Sequence, residues 1–173
     1  MNHFELFGLP PRFDLDPALL GERYRELQRA FHPDRFAGAT PQERRLSVQR
    51  AAQVNLAYHT LRDPLERARY LLELHGIRSG EGGGQMDQEF LMQQMEMREA
   101  LADVRNRPDP AAALAQIASE AKRMRNAVVQ QLSRQFGEDS ERSLAAASQS
   151  VNKLMFLNKI LQEVDETEEE LSS

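Results

Sequence analysis

The 173-residue sequence carries a net charge of −5 that is spread unevenly, because residues 1–76 hold 11 Arg against 10 Asp and Glu (net +1), whereas residues 77–173 hold 11 Lys and Arg against 17 Asp and Glu (net −6). Neither half is a basic module, so we expect no nucleic-acid partner. The sequence has no cysteine, which excludes disulfides and a metal cluster held by the protein's own thiolates.

The N-terminal end shows no charged lead followed by an apolar run, and no apolar stretch in the chain approaches 18 residues. These features predict neither a signal peptide nor a membrane-spanning helix. We therefore expect a soluble, cytoplasmic protein without a membrane partner.

The periodicity of the first half is helical, without a convincing strand pattern, and the same holds for the second half, so we predict an all-α fold. Asp16-Pro17 is typical of an N-cap followed by proline at the first helical position, and the helix that it begins runs to Phe31. The stripe of this helix that should be buried consists of Leu20, Tyr24, Leu27 and Phe31.

The tripeptide His32-Pro33-Asp34 follows, and a helix cannot run smoothly into its proline. We therefore predict an exposed loop over 32–39. Thr40-Pro41 begins a second, antiparallel helix, and Asp63-Pro64 begins a third that ends at Gly76. The buried positions predicted on these two helices are Val54, Ala57, Tyr58 and Leu61, then Leu65, Ala68 and Leu72.

Arginines occupy the face of the first helix opposite its buried stripe. Arg25 and Arg29 project from that face, and Arg23 lies on its flank. Spacing alone favours a solvated face on which Glu22 and Glu26 pair with these arginines.

Residues 76–86 contain five of the nine glycines, so we place a flexible linker at 77–86 between two domains. Three helices follow: from Asp87 to about Asn106, from Asp109-Pro110 to Phe136-Gly137, and from Ser140 to near Val164. They predict an antiparallel three-helix bundle over 87–166, with a frayed acidic tail at 167–173. The predicted stripes are Leu114, Ile117, Ala121, Met124 and Val128, then Leu144, Ala147, Val151, Leu154 and Leu161.

The first helix of the bundle has too many apolar residues for one face. Its inward stripe is Phe90, Met97, Leu101 and Val104. The residues that fall off the core faces are Leu91, Met92 and Met95, beside Glu96, Glu99 and Asp103, and Phe156 of the third helix. Exposed methionine and aromatic side chains rimmed by carboxylates are typical of a protein-binding patch. The alternative is that they pack under the linker or against the first domain.

Catalytic signatures are weak throughout. The four histidines are His3, His32, His59 and His75, and none forms an i,i+4 pair with another. His32 and Asp34 as an acid/base pair would need a pocket, which a convex helical corner does not provide. We predict a protein that is not an enzyme, with no cofactor and no metal site.

Three segments of the first half resemble a J domain. They are His3-Phe4-Glu5-Leu6-Phe7-Gly8-Leu9, then His32-Pro33-Asp34-Arg35-Phe36, then Ala57-Tyr58 with Leu61-Arg62-Asp63-Pro64, Arg67-Ala68 and Tyr70. Together with the second half, their order is similar to the HscB family, J-type co-chaperones of iron-sulphur cluster assembly. The resemblance implies a J domain over 1–76 and a scaffold-binding bundle behind it.

In that family the basic helix and the His-Pro-Asp loop meet an acidic surface on the ATPase domain of an HscA-like, DnaK-class chaperone. The resemblance therefore assigns chaperone binding to His32, Pro33, Asp34, Arg23, Arg25, Arg29 and Arg35. Asp34 would pair with an arginine of the chaperone, Pro33 would set the loop's shape, and His32 would orient it. Arg35 stands where relatives often have Lys, so the charge is kept with a different donor geometry.

The resemblance also implies that the bundle binds an IscU-type iron-sulphur scaffold through Leu91, Met92, Met95, Glu96, Glu99, Asp103 and Phe156. Asp103 is shorter than the Glu expected at its position. The implied function is a co-chaperone that stimulates its chaperone's ATPase and delivers the scaffold, aiding cluster assembly and transfer. A J protein that delivers general unfolded clients is the alternative, although the patch is small for long apolar segments.

Overall fold

The computed structural model describes residues 1–78 and 87–173, and within these ranges every regular element is helical. The α-helices are α1 His3–Leu6, α2 Pro17–Ala30, α3 Pro41–Arg62, α4 Pro64–Leu74, α5 Gln88–Ala102, α6 Pro110–Glu138 and α7 Glu141–Ser172. Two 3-10 helices, Pro33–Phe36 and Val104–Asn106, lie between them. The all-α prediction is confirmed. The chain divides into two compact units, Met1–Leu71 and Leu72–Ser173, and most of the predicted linker, from residue 79 to 86, lies outside the described residues.

Side-chain caps begin the helices where the sequence predicts them. The Asp16 carboxylate accepts a hydrogen bond from the Ala18 N–H (3.0 Å) at the start of α2. Thr40 and Glu43 cap α3 reciprocally, as a capping box does. Ser140 starts α7 in the same way. Because each cap satisfies backbone donors that would otherwise lack partners, it fixes the residue at which the helix begins.

Helices α2 and α3 pack antiparallel in the first unit. The ring of Tyr24 stacks on that of Tyr58 with centroids 3.8 Å apart, while the Arg50 guanidinium lies 5.8 Å from the centroid of the Phe31 ring. Of the predicted stripe, Leu20 is buried, but Tyr24, Leu27 and Phe31 are only half-buried. The pairing leaves the loop between the two helices at one end of the unit.

The corner between α3 and α4 is braced by a buried arginine. Arg67 donates from Nη1 to the carbonyl of Leu61 (2.8 Å), and its guanidinium lies 4.7 Å from the centroid of the Phe13 ring. Burial lowers the pKa of Arg67, and the carboxylates of Asp63 and Asp14 oppose that shift. This contact ties the start of α4 to the segment before α2.

The second unit contains an up-down-up bundle. Helices α6 and α7 are joined at Asp139, whose φ of 46° reverses the chain within a short turn. Side chains on α5, its N-cap and the following 3-10 helix meet those of α7 at an offset of 65 or 66 residues, so α5 and α7 run parallel. The pairs are Asp87 with Lys153, Phe90 with Phe156, Arg98 with Glu163, and Arg105 with Glu170. The predicted stripes of the last two helices are buried, except that Met124 and Leu161 are half-buried.

Two predicted helix ends are wrong. The last helix does not end near Val164 but continues to Ser172. Glu and Leu in this segment favour helix formation, and Glu170 pairs with Arg105 of the 3-10 helix Val104–Asn106. The first helix of the bundle ends at Ala102, and the 3-10 helix Val104–Asn106 takes over the last turn.

Candidate functional site

The loop after α2 presents its three central side chains to solvent. His32 has an extended backbone (φ −62°, ψ 134°) and acts as the N-cap of the 3-10 helix Pro33–Phe36. No residue of that helix is buried, and the Asp34 side chain is 93% exposed. The carboxylate is therefore free to meet a cation from another molecule at little desolvation cost.

The imidazole of His32 stabilises the start of the 3-10 helix in this loop. Its Nδ1 accepts a hydrogen bond from the Asp34 N–H at 3.2 Å, which requires an unprotonated Nδ1. The same Nδ1 lies 3.6 Å from the Asp34 carboxylate, a contact that would need a proton on it. The two contacts exclude each other, and the shorter N–H contact is the one that defines the cap.

The basic residues beside the loop surround one depression. Its volume is about 500 Å³, and it is lined by Arg25, Gln28, Arg29, His32 and Arg35. Arg25 and Arg29 form no ion pair with Glu22 or Glu26 in the part of the chain that the structure describes, so their positive charge is not neutralised on the helix. A depression with three guanidinium groups and one imidazole suits an acidic surface.

Arg23 does not belong to that depression. Its Nη1 donates to the carbonyl of Phe7 (3.1 Å), in the turn where Gly8 takes a φ of 65°. The guanidinium therefore joins α2 to the turn after α1. This placement separates Arg23 from the other arginines that the sequence groups with it.

The outer face of α5 exposes three large apolar side chains. Leu91 is 43% exposed, Met92 is 62% exposed and Met95 is 63% exposed. The carboxylate-bearing residues Glu96, Glu99 and Asp103 are exposed on the same helix and its C-cap. We call these six residues the α5 face. Methionine side chains adapt to the shape of a partner, and carboxylates around them favour a cationic one.

Phe156 borders the α5 face from α7 and is half-buried. Its ring meets the Phe90 ring edge to face, and the Arg98 guanidinium lies 5.3 Å from its centroid. Arg98 also pairs with Glu163. Sequence reasoning missed Arg98, because its two partners lie about sixty residues away in the chain and no local spacing signals them. It also missed Met155, which is 41% exposed beside Phe156 in the sequence.

The described residues were also compared with the requirements of a metal site and of a membrane-spanning helix. No group of three or more His, Asp or Glu side chains in these ranges is arranged to hold a metal ion. None of the helices in residues 1–78 and 87–173 has the length and apolar character needed to span a membrane.

Known proteins similar to this chain match it over nearly its full length. A co-chaperone protein HscB homolog from Shewanella baltica (strain OS195) is 50% identical over 173 residues, which cover 99% of each chain. The chain belongs to the HscB family of co-chaperones. A family model described as the HSCB C-terminal oligomerisation domain matches residues 86–165.

Solved HscB structures share the fold. The chaperone HscB from Vibrio cholerae superposes with a TM-score of 0.86 at 44% identity and covers 99% of both chains. Human co-chaperone protein HscB superposes with a TM-score of 0.87 at 32% identity, over 97% of this chain and 82% of the human one. The predicted HscB architecture, a J domain followed by a C-terminal helical bundle, is confirmed.

Proposed function

We propose that this HscB-family chain stimulates the ATPase of an HscA-like, DnaK-class chaperone and delivers an IscU-type iron-sulphur scaffold to it. The observation that carries the proposal is a pair of exposed surfaces, one in each unit, whose chemistry suits partner binding. The first is the exposed His32-Pro33-Asp34 loop beside the arginine-lined depression, and the second is the α5 face. The role needs no intrinsic catalysis and is compatible with a cytoplasmic location.

The surface around the His32-Pro33-Asp34 loop carries both positive and negative side chains, which favours one docking orientation. Arg25, Arg29 and Arg35 offer cations to an acidic surface of the chaperone, while Asp34 offers one exposed carboxylate to an arginine. Opposite charges at fixed positions select register as well as partner. A charge-assisted hydrogen bond contributes about 1.5–3 kcal/mol, so the loss of the Asp34 charge is enough to abolish a weak, transient contact.

The α5 face, the proposed binding site for the scaffold, combines apolar anchors with carboxylates. Met92 and Met95 supply exposed contact area, and Glu96 and Glu99 supply charge for cationic side chains of the scaffold. Interfaces of this kind depend on a few central anchors with a charged rim. Holding scaffold and chaperone on one chain raises their effective concentration for each other, because the second contact becomes intramolecular.

The test of the chaperone contact is steady-state ATP hydrolysis by the chaperone with wild-type protein and with Asp34→Asn. We expect the variant to lose stimulation while its helicity and scaffold binding are unchanged, since Asp34 is 93% exposed. Asp165→Asn is the matched control, because it makes the same chemical change at an exposed site of α7. Stimulation by Asp34→Asn at the wild-type level would reject the proposed chaperone contact.

A further inference from the structure

One carboxylate of the α5 face is already occupied by its own chain. Asp103 Oδ2 lies 3.3 Å from Arg107 Nε, and Asp103 Oδ1 accepts a hydrogen bond from Asn106 Nδ2 at 3.2 Å. The carboxylates of Glu96 and Glu99, by contrast, form no ion pair or hydrogen bond with any described residue. The face therefore offers a partner two open acids and one that is neutralised internally.

Arg107 lies between two sets of acids. It lines a depression of about 400 Å³ together with Glu96, Glu99 and Asp103. It also lines a neighbouring depression of about 520 Å³ on the α6 side, which includes Asp109 and Glu120. Asp109 caps α6 by accepting from the Ala112 N–H, and Glu120 Oε1 lies 3.8 Å from Arg123 Nη2, but a carboxylate has two oxygens and can accept a further hydrogen bond. A guanidinium that leaves Asp103 thus has other carboxylates to turn toward.

The ion pair between Arg107 and Asp103 is weak enough to be displaced. The Arg107 side chain is 58% exposed and that of Asp103 is 51% exposed, and exposed pairs contribute only about 0.2–1 kcal/mol. A cation on a partner can pair with the Asp103 carboxylate only if it displaces Arg107. Until Arg107 moves away, its guanidinium repels that cation. Both effects oppose binding of a basic partner.

We propose that Arg107 is a specificity-determining residue that competes with the scaffold's cationic side chains for Asp103. In the free chain it neutralises Asp103, and in the complex it turns toward Asp109 and Glu120 while a Lys or Arg of the scaffold takes its place. This inference rests on the proposed function. It adds that the scaffold protein carries Lys or Arg side chains where it contacts the α5 face. Arg107 therefore selects against basic partners whose cations are too few or too poorly placed to displace it from Asp103.

The test is the affinity of the IscU-type scaffold for full-length wild type and Arg107→Gln, measured by isothermal titration calorimetry at two salt concentrations. We expect Arg107→Gln to bind about two- to five-fold more tightly at low salt, the change that corresponds to one exposed ion pair. The gain should shrink at high salt, because screening weakens the repulsion that the substitution removes.

Arg105→Gln is the matched control. It removes the same charge two residues away, but Arg105 pairs with Glu170 of α7 and not with the α5 face. We expect its affinity to stay close to that of wild type. An equal gain from Arg105→Gln would mean that net charge alone is responsible and would overturn the inference.

Asp103→Asn completes a double-mutant cycle with Arg107→Gln. The substitution should lower scaffold affinity little in wild type and more in the Arg107→Gln background, where Asp103 has no Arg107 partner. Unchanged or weaker scaffold binding by Arg107→Gln would overturn the inference and leave the proposed function standing. No scaffold binding by wild type would overturn both.

Discussion

The rings of Phe90 and Phe156 meet edge to face, with centroids 5.8 Å apart and planes at 87°. This contact fastens α5 to α7 beside the α5 face. Phe156 is therefore both a packing residue and a candidate anchor for the scaffold, whereas Met92 and Met95 on α5 are exposed. The two kinds of residue are expected to respond differently to truncation.

Phe156→Ala should lower both scaffold affinity and the free energy of unfolding. For a half-buried ring we expect a loss of stability of about 1–2 kcal/mol, below the range for a fully buried phenylalanine. Met92→Ala should lower affinity with a stability change within about 0.5 kcal/mol. Urea denaturation and calorimetry of both variants measure these effects. A loss of stability from Met92→Ala as large as that from Phe156→Ala would contradict the assignment.

The arginines of α2 should separate into two classes. Arg25→Gln and Arg29→Gln should reduce stimulation of the chaperone ATPase without changing the melting temperature, because both side chains are exposed. Arg23→Gln should lower the melting temperature, since it removes the hydrogen bond from Nη1 to the Phe7 carbonyl, with a cost of about 1 kcal/mol. Thermal denaturation alongside the ATPase assay distinguishes the classes. Equal melting temperatures for all three variants would contradict this division.

The N-cap of α5 should make the stability of the chain depend on pH. The hydrogen bond from Lys153 Nζ (2.8 Å) and the Phe90 N–H (2.7 Å) lower the pKa of Asp87 from its usual range. A lowered pKa in the folded state means that the stabilisation is complete above the unfolded value of about 4 and is lost as the pH falls through the folded value.

Asp87→Asn keeps a side-chain acceptor for the cap but removes the charge. The difference in unfolding free energy between wild type and this variant should be largest near neutral pH and should shrink as the pH falls below about 4. Urea denaturation at a series of pH values measures it. Asp109→Asn, at the N-cap of α6, is the control. A difference for Asp87→Asn that stays constant down to acid pH would rule out this role of the ion pair.

Local signals predicted most of the fold. Asp16-Pro17, Thr40-Pro41 and Ser140 cap the helices that they were expected to begin, because a cap depends on residues within one turn. The capping box of Asn2 and Glu5 that begins α1 was missed, since a four-residue helix has no periodicity to detect. The end of α7 was missed because Glu170 pairs with Arg105, a contact between distant parts of the chain.

The candidate surfaces were predictable only in part. The exposure of Met92 and Met95 followed from their angular distance to the inward stripe. The half-burial of Phe156 did not, because it depends on how α5 lies along α7. The separation of Arg23 from Arg25 and Arg29 depends on the turn at Gly8, which no helical periodicity describes.

The bridging of chaperone and scaffold by one chain is tested by ATPase stimulation with a mixture of two full-length variants. Asp34→Asn keeps the α5 face, and Met92→Ala with Met95→Ala keeps the His-Pro-Asp loop. With chaperone and scaffold present, we expect an equimolar mixture to stimulate no more than the sum of the separate variants, well below wild type, because neither molecule links both partners. Stimulation by the mixture equal to that of wild type would show that one chain need not bind both partners.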